Sequence, residues 1–271
     1  MFVLCEYFNN LKIMRTKNFA IASLSFLIAA FAFCSDAAET PNALFDGEAF
    51  APLKENFSAE IGVGFESAYV FRGAKLAPAS VVPTLDLGYS LGGGFGLRGG
   101  FFNNSSVGDS GYEESDITCG ITCALGSFSF DAGYCAYLYP RDKNTHEFSF
   151  CVSCDTSEFL GDFAVSPFVE YYYDVVLYAN TLEAGLSYSA PVTKWLIESE
   201  WGSIDLAATY GHVFARRSAN DYNYVMFSAD FKIELTRFAS LSAGVRYSNK
   251  SAGGANSEDN CWFGTGVKLA F

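Results

Sequence analysis

Only two histidines, His146 and His212, stand in this chain, and hydrolytic catalysis needs such a base beside a serine and an acid. His146 falls in a predicted loop and His212 at a strand end on the apolar side, so neither acquires those partners and no catalytic residue is assigned. Of the eight cysteines, Cys5 and Cys34 belong to an amino-terminal leader, and Cys119, Cys123, Cys154 and Cys261 fall on apolar faces, where cysteine acts as a small hydrophobe. Cys135 and Cys151 fall on the polar faces of adjacent strands. A hairpin centred near Lys143 would set them opposite each other, and an oxidising compartment would then permit a disulfide. Cys151 and Cys154 are three apart and so point to opposite faces of a strand, which argues against a metal pair. The glycine clusters sit at turns rather than in a phosphate-cradling loop, so neither metal nor cofactor is assigned.

The residues that could do chemistry together are charged. Period-two alternation collects Glu60, Glu66, Asp86, Asp116, Asp131, Glu147, Glu170, Glu183, Asp205 and Asp230 on the less apolar strand faces, with Arg98, Lys232, Arg246 and Lys268. Lining a water-filled bore, this excess of carboxylates would favour cations; paired within a filled interior, the same residues would be structural.

Strands must position them. From Phe57 the sequence alternates: Phe57, Ala59, Ile61, Val63, Phe65, Ser67, Tyr69 and Phe71 share one face, opposite Glu60, Gly62, Gly64, Glu66 and Arg72. Similar sets recur through the chain, among them Leu85 to Leu91, Phe128 to Leu138, Val225 to Ile233 and Leu241 to Tyr247. The last runs from Cys261 to Phe271 and stops on the aromatic ring. Counting gives roughly 12 strands, with 10 or 14 as alternatives and the stretch 192–201 undecided, each about long enough to cross a bilayer at a tilt. Connections near 73–82, 103–113, 213–221 and 249–259 are longer and polar, whereas Gly92 to Gly94 and Gly126 to Ser127 are tight. The fold class expected is all-β, an antiparallel transmembrane barrel over residues 57–271. A secreted sandwich also alternates, but its solvated faces would be rich in Lys, Glu and Thr rather than Gly, Ser and Ala.

Composition agrees. The chain has 271 residues, 17% aromatic and only 17% charged, and its net charge of -13 argues against nucleic-acid binding. Residues 1–37, with an effective start at Met14, read as an export signal: Arg15 and Lys17 precede an apolar run, and a cut after Ala37 satisfies the small-residue rule. Residues 38–56 read as a periplasmic lead-in or small plug. A terminal strand carrying Val267, Leu269 and Phe271 resembles the carboxy-terminal signal by which the outer-membrane assembly machinery recognises barrels.

The run Ser67, Ala68, Tyr69, Val70, Phe71, Arg72, Gly73, followed by Pro83, Thr84, Leu85, Asp86, Leu87, Gly88 and Tyr89, resembles the opening hairpin of the TorF-type porin family. The resemblance covers roughly thirty residues. It implies a bacterial outer-membrane barrel, and says more about fold than function. Ala68 departs from the aspartate usual in that family. Arg72 has two readings: a strand-end cation that pairs with Glu66 or lipid headgroups, or a pore residue.

Together these residues lead us to expect a bacterial outer-membrane channel for passive diffusion of small hydrophilic solutes or ions, weakly cation-preferring and in contact with outer-membrane lipid. Glu66, Arg72, Asp86, Arg98, Asp116, Asp131, Glu147, Glu170, Asp205, Asp230, Arg246 and Lys268 would line its pore. The alternative is a non-conducting barrel with a structural or loop-mediated binding role.

Overall fold

Alternating apolar and small polar residues satisfy both sides of a strand that separates lipid from a polar bore, and only closure pairs every backbone group in such a wall. In the computed structural model, which describes residues 55–108, 111–192, 201–216, 220–252 and 257–271, this pattern produces fourteen strands among the described residues. They are β1 (Phe57–Glu66), β2 (Tyr69–Phe71), β3 (Ala74–Ala77), β4 (Ser80–Gly92), β5 (Phe95–Ser106), β6 (Glu113–Leu125) and β7 (Phe128–Leu138), followed by β8 (Thr145–Cys154), β9 (Val165–Asp174), β10 (Ala179–Ala190), β11 (Gly202–Phe214), β12 (Tyr222–Glu234), β13 (Ala239–Ala252) and β14 (Glu258–Ala270). β1 and β4 to β14 form a closed antiparallel barrel of 12 strands, while β2 and β3 make a separate two-stranded hairpin.

The seam closes on both sides of β1. Glu60 to Glu66 pair with Ala270 to Gly264 of β14, and Phe57 to Glu66 pair with Tyr89 to Ser80 of β4. Phe271, past the end of β14, still exchanges backbone hydrogen bonds with Ala59 at 2.8 and 3.3 Å, so the terminal strand is zipped to its last residue. Val267 and Leu269 sit opposite Val63 and Ile61 at this seam.

The oily faces point outward, not into a core between two layers. Ile121 is 55% exposed and Val245 59%, with Phe150, Leu186, Phe227 and Phe263 similarly bare. A sandwich would bury these side chains; a bilayer covers them.

Four outward tyrosines repeat one device. Tyr134, Tyr171, Tyr210 and Tyr247 lie on β7, β9, β11 and β13, and each hydroxyl reaches a polar group on the following strand: His146 Nδ1 at 2.7 Å, Asn180 Oδ1 at 2.5 Å, Asn223 Oδ1 at 2.7 Å and Asp259 Oδ1 at 2.8 Å. In each case the partner lies two residues from the one directly opposite the tyrosine: Phe148, Leu182, Val225 and Cys261. An apolar ring with its hydroxyl tied to a polar group suits the boundary between hydrocarbon and water, so these rings mark one edge of the membrane belt.

Several expectations are corrected. The first strand ends at Glu66 rather than Phe71. β5 and β6 extend to Ser106 and from Glu113, which draws Asn103 and Asn104 out of the expected 103–113 loop and into the wall. His146 lies within β8, its ring stacked on Tyr134 on the outer face, not in a loop. Phe163 belongs to a 3-10 turn that follows the short helix α1 (Ser157–Leu160), because Gly161, at φ 57°, diverts the chain before β9 begins. The expected leader (1–37), nearly all of the lead-in (38–56) and most of the stretch 192–201 lie outside the described residues.

The expected disulfide is also overturned. The β7–β8 ladder pairs Cys135 with Glu147 and Asp131 with Cys151, so the hairpin centres on position 141 rather than 143. Both sulfurs face the lumen side of the ladder, but four residues of β8 separate Cys151 from the position opposite Cys135. That is roughly 13 Å at a strand's rise per residue, well beyond disulfide reach. Both cysteines are free.

Candidate functional site

The chain between β1 and β4 turns into the bore instead of rising above it. Ala68 and Ala77, at the two feet of the β2–β3 hairpin, are buried, and Ser80 is wholly so. Tyr69 pairs with Ala77 and Phe71 with Ala74, leaving Arg72 and Gly73 at the tip with φ of 47° and 78°. Left-handed backbone favours glycine, and at Gly73 space demands it as well: a Cβ there would lie 2.6 Å from Cβ of Tyr224. The expected outward loop at 73–82 is therefore corrected to an inward hairpin.

Its contacts cross the lumen. Arg72 donates through Nη1 and Nη2 to the two carboxylate oxygens of Glu147 on β8, at 2.7 and 2.9 Å. Its Nε lies 3.8 Å from Glu183 on β10, and its guanidinium lies over the ring of Tyr172 on β9, 4.2 Å from the centroid. Tyr137 of β7 donates to Glu147 at 2.9 Å, and Tyr224 of β12 donates to Glu183. Phe71 meets Tyr137 edge-on, Tyr69 packs against Phe102 of β5 and Tyr112, and Gly73 O accepts from Nδ2 of Asn260 on β14 at 3.3 Å. The hairpin thus touches wall strands all around the barrel and crosses the bore at this level.

Arg72 accordingly lies within the bore, and among the described residues it pairs with Glu147 while Glu66 pairs with Arg246. Its partners hold it firmly: the side chains of Arg72 and Glu147 are only 12% and 4% exposed. A bidentate guanidinium–carboxylate pair that dry is strong in geometry and costly to break from one side.

Elsewhere the predicted lumen charges lie on the inner face, and most are paired. Arg98 reaches from β5 across β6 to Asp131 on β7, at 2.5 and 2.6 Å. It can do so because Gly120 and Gly133 lie beneath it; a Cβ at Gly120 would stand 2.9 Å from Arg98 Nε, and one at Gly133 would collide with Nη2. Arg246 bridges Glu66 at 3.0 Å and Asp230 at 2.7 Å, and Lys268 binds Glu60 at 2.6 Å. Asp205 accepts from Ser189 and Ser203, at 2.5 and 3.1 Å. Glu170 is half-buried opposite Glu183 and Cys151, Asp86 is exposed opposite Glu60, and Asp116 is buried opposite Phe102 and Tyr137.

The site also holds residues that the sequence reading does not assign to it. Glu114, 1% exposed, accepts from Tyr112 at 2.8 Å and Tyr139 at 2.9 Å. Burial and the Glu114 carboxylate push both phenols above their ordinary range, so each keeps its proton and remains a donor. Tyr137, Tyr172 and Tyr224 escape a reading that searches these faces only for charge. Continuing the alternation of Asp116 back by two residues would find Glu114.

A closed 12-strand antiparallel barrel with an apolar outside and a charged bore is a bacterial outer-membrane β-barrel. No family model and no curated protein matches the chain. Among solved structures it is similar to an outer membrane channel from Pseudomonas putida F1, with 14% identity and a TM-score of 0.51 over 80% of this chain and 96% of that one. It also aligns with the NanC porin (9% identity, TM-score 0.49, 78% of this chain and 98% of that one) and with the KdgM porin (11%, 0.45, 79% and 99%). At such identities the likeness to the Pseudomonas channel concerns the fold.

Proposed function

We propose that the protein is a porin-like channel for passive diffusion of small hydrophilic solutes or ions, with a weak preference for cations and a bore narrowed by the β2–β3 hairpin. The observation that carries this reading is the Arg72–Glu147 bridge: a wall segment is folded into the lumen and fastened to the far side by a doubly hydrogen-bonded pair. A barrel of purely structural role has no need for such a fastening, whereas a channel that limits solute size does. Cation preference rests on the surplus of inner-face carboxylates, Asp86, Glu170 and Asp205 among them, over arginines and lysines already engaged by acids. The resemblance of Ser67 to Gly73 and of Pro83 to Tyr89 to TorF-type porins agrees with this reading, as does the terminal strand through Phe271 for recognition by the outer-membrane assembly machinery.

The reading assigns no catalytic step: His146 and His212 sit on the outer face, bonded to Tyr134 and Asn223. Purified protein in a planar bilayer tests it. Stepwise currents with a reversal potential favouring cations are expected, reduced in preference by Asp131→Asn with Glu170→Gln. A folded but silent barrel would favour the alternative, a structural or loop-mediated binding role.

A further inference from the structure

Next to the hairpin, one patch of the inner wall carries acceptor groups that no group among the described residues satisfies. Asn104 on β5 and Glu114 on β6 are direct cross-strand partners, so their side chains share the lumen face, and Asp116 follows two residues along on that face. Asn104 is completely buried, yet neither its Oδ1 nor its Nδ2 has a hydrogen-bond partner. Asp116 is 9% exposed, and its Oδ1 is likewise unpartnered. The donors that reach buried Glu114 are neutral, the phenols of Tyr112 and Tyr139 among them.

Two buried carboxylates side by side with an unsatisfied carboxamide are expensive: buried charge is normally paired or bound to a metal, and a buried unmatched polar atom carries its full desolvation cost. Two arginines of neighbouring segments are placed elsewhere. Arg72 spends its terminal nitrogens on Glu147, and Arg141 lies in the exposed turn beside Gly111. Among the described residues no three of His, Cys, Asp and Glu are grouped to hold a metal, and the third oxygen here comes instead from an amide.

We propose that Asn104, Glu114 and Asp116 form a binding site for a hard divalent cation of the calcium type. All the side-chain ligands are oxygens, two of the three groups carboxylates, which suits an ion that takes carboxylate and amide oxygens in an irregular shell and is indifferent to nitrogen or sulfur. Tyr69, on the hairpin, packs on both Phe102 and Tyr112, which flank this patch, so the ion would stiffen the wall against which the hairpin is docked.

The tyrosines supply the assay. The full refolded barrel is titrated with terbium(III) under tyrosine excitation, and calcium is then added as competitor. Wild type is expected to give saturable emission at one equivalent that calcium reverses. Asp116→Asn and Asn104→Ala should weaken binding by at least the roughly 10–100-fold that loss of even an outer metal-site partner costs, while Glu170→Gln, elsewhere in the lumen, leaves it unchanged. Asn104→Asp adds a charged ligand and should tighten binding, and its heat-dependent gel shift should become calcium-dependent, which keeps the test decisive where the neutralising variants fold poorly. Emission that does not saturate, or that is the same in wild type and all variants, would mean that ordered water satisfies these groups and would overturn the site. Because ion binding is read without any current, this outcome is independent of whether the barrel conducts.

Discussion

Arg72 and Glu147 are 75 residues apart in sequence and joined by two hydrogen bonds across the lumen, at 2.7 and 2.9 Å. The pair converts a loop that would otherwise rise above the membrane into a bar across the bore. Because both side chains are nearly dry, Glu147→Gln or Arg72→Ala strands one buried charge, and either should cost about 3–5 kcal/mol measured by urea unfolding in lipid vesicles. The double variant should cost less than the sum of the singles, since it leaves no orphan.

The path of Arg98 along the wall depends on two glycines. Gly133→Val places side-chain carbon where Arg98 Nη2 now lies, which should break the bond to Asp131 and destabilise the barrel by about 1–3 kcal/mol, lowering the temperature at which its compact gel band disappears. The same substitution in an Arg98→Ala background should cost less.

The outward tyrosines should each contribute a hydroxyl and little else by way of polarity. Tyr210→Phe is expected to lose about 0.5–1.5 kcal/mol in the same unfolding assay by removing the bond to Asn223 while the ring stays in place, and Tyr247→Phe, whose bond to Asp259 is exposed, to lose less. Combining the two should give an additive loss, since the pairs share no partner.

Cys135 and Cys151 should both react with a thiol reagent after unfolding without reductant, detected by mass. Their register, Cys135 with Glu147 and Cys151 with Asp131, forbids an intramolecular bridge between them in the folded barrel.

Much of the wall is legible in the sequence. Strand number, closure on Phe271 and the inner faces of β7, β12 and β13 follow from alternation, because lipid tolerates only apolar side chains on one face and the bore is lined with small or charged ones on the other. The hairpin is not legible, because Tyr69 and Phe71 carry on the alternation of Ile61, Val63 and Phe65. The period runs through Ser67 without a break, whereas the wall strand ends at Glu66. Only the Arg72–Gly73 pair, forced into left-handed backbone, marks the turn. Asn103 and Asn104 look like loop because polar residues at a strand's end have the same pattern whether they face solvent or an enclosed lumen. The cysteine pairing fails on a shift of the turn centre from 143 to 141, finer than turn composition resolves.

If the β2–β3 hairpin, folded into the bore, limits flow through it, then releasing its fastening should open the channel. Single-channel conductance in a planar bilayer, compared between wild type and a variant carrying both Arg72→Ala and Glu147→Gln, tests it most directly. Larger unitary steps and passage of bulkier solutes are expected in the variant. Equal conductance from a variant shown to be folded by its gel shift would contradict it.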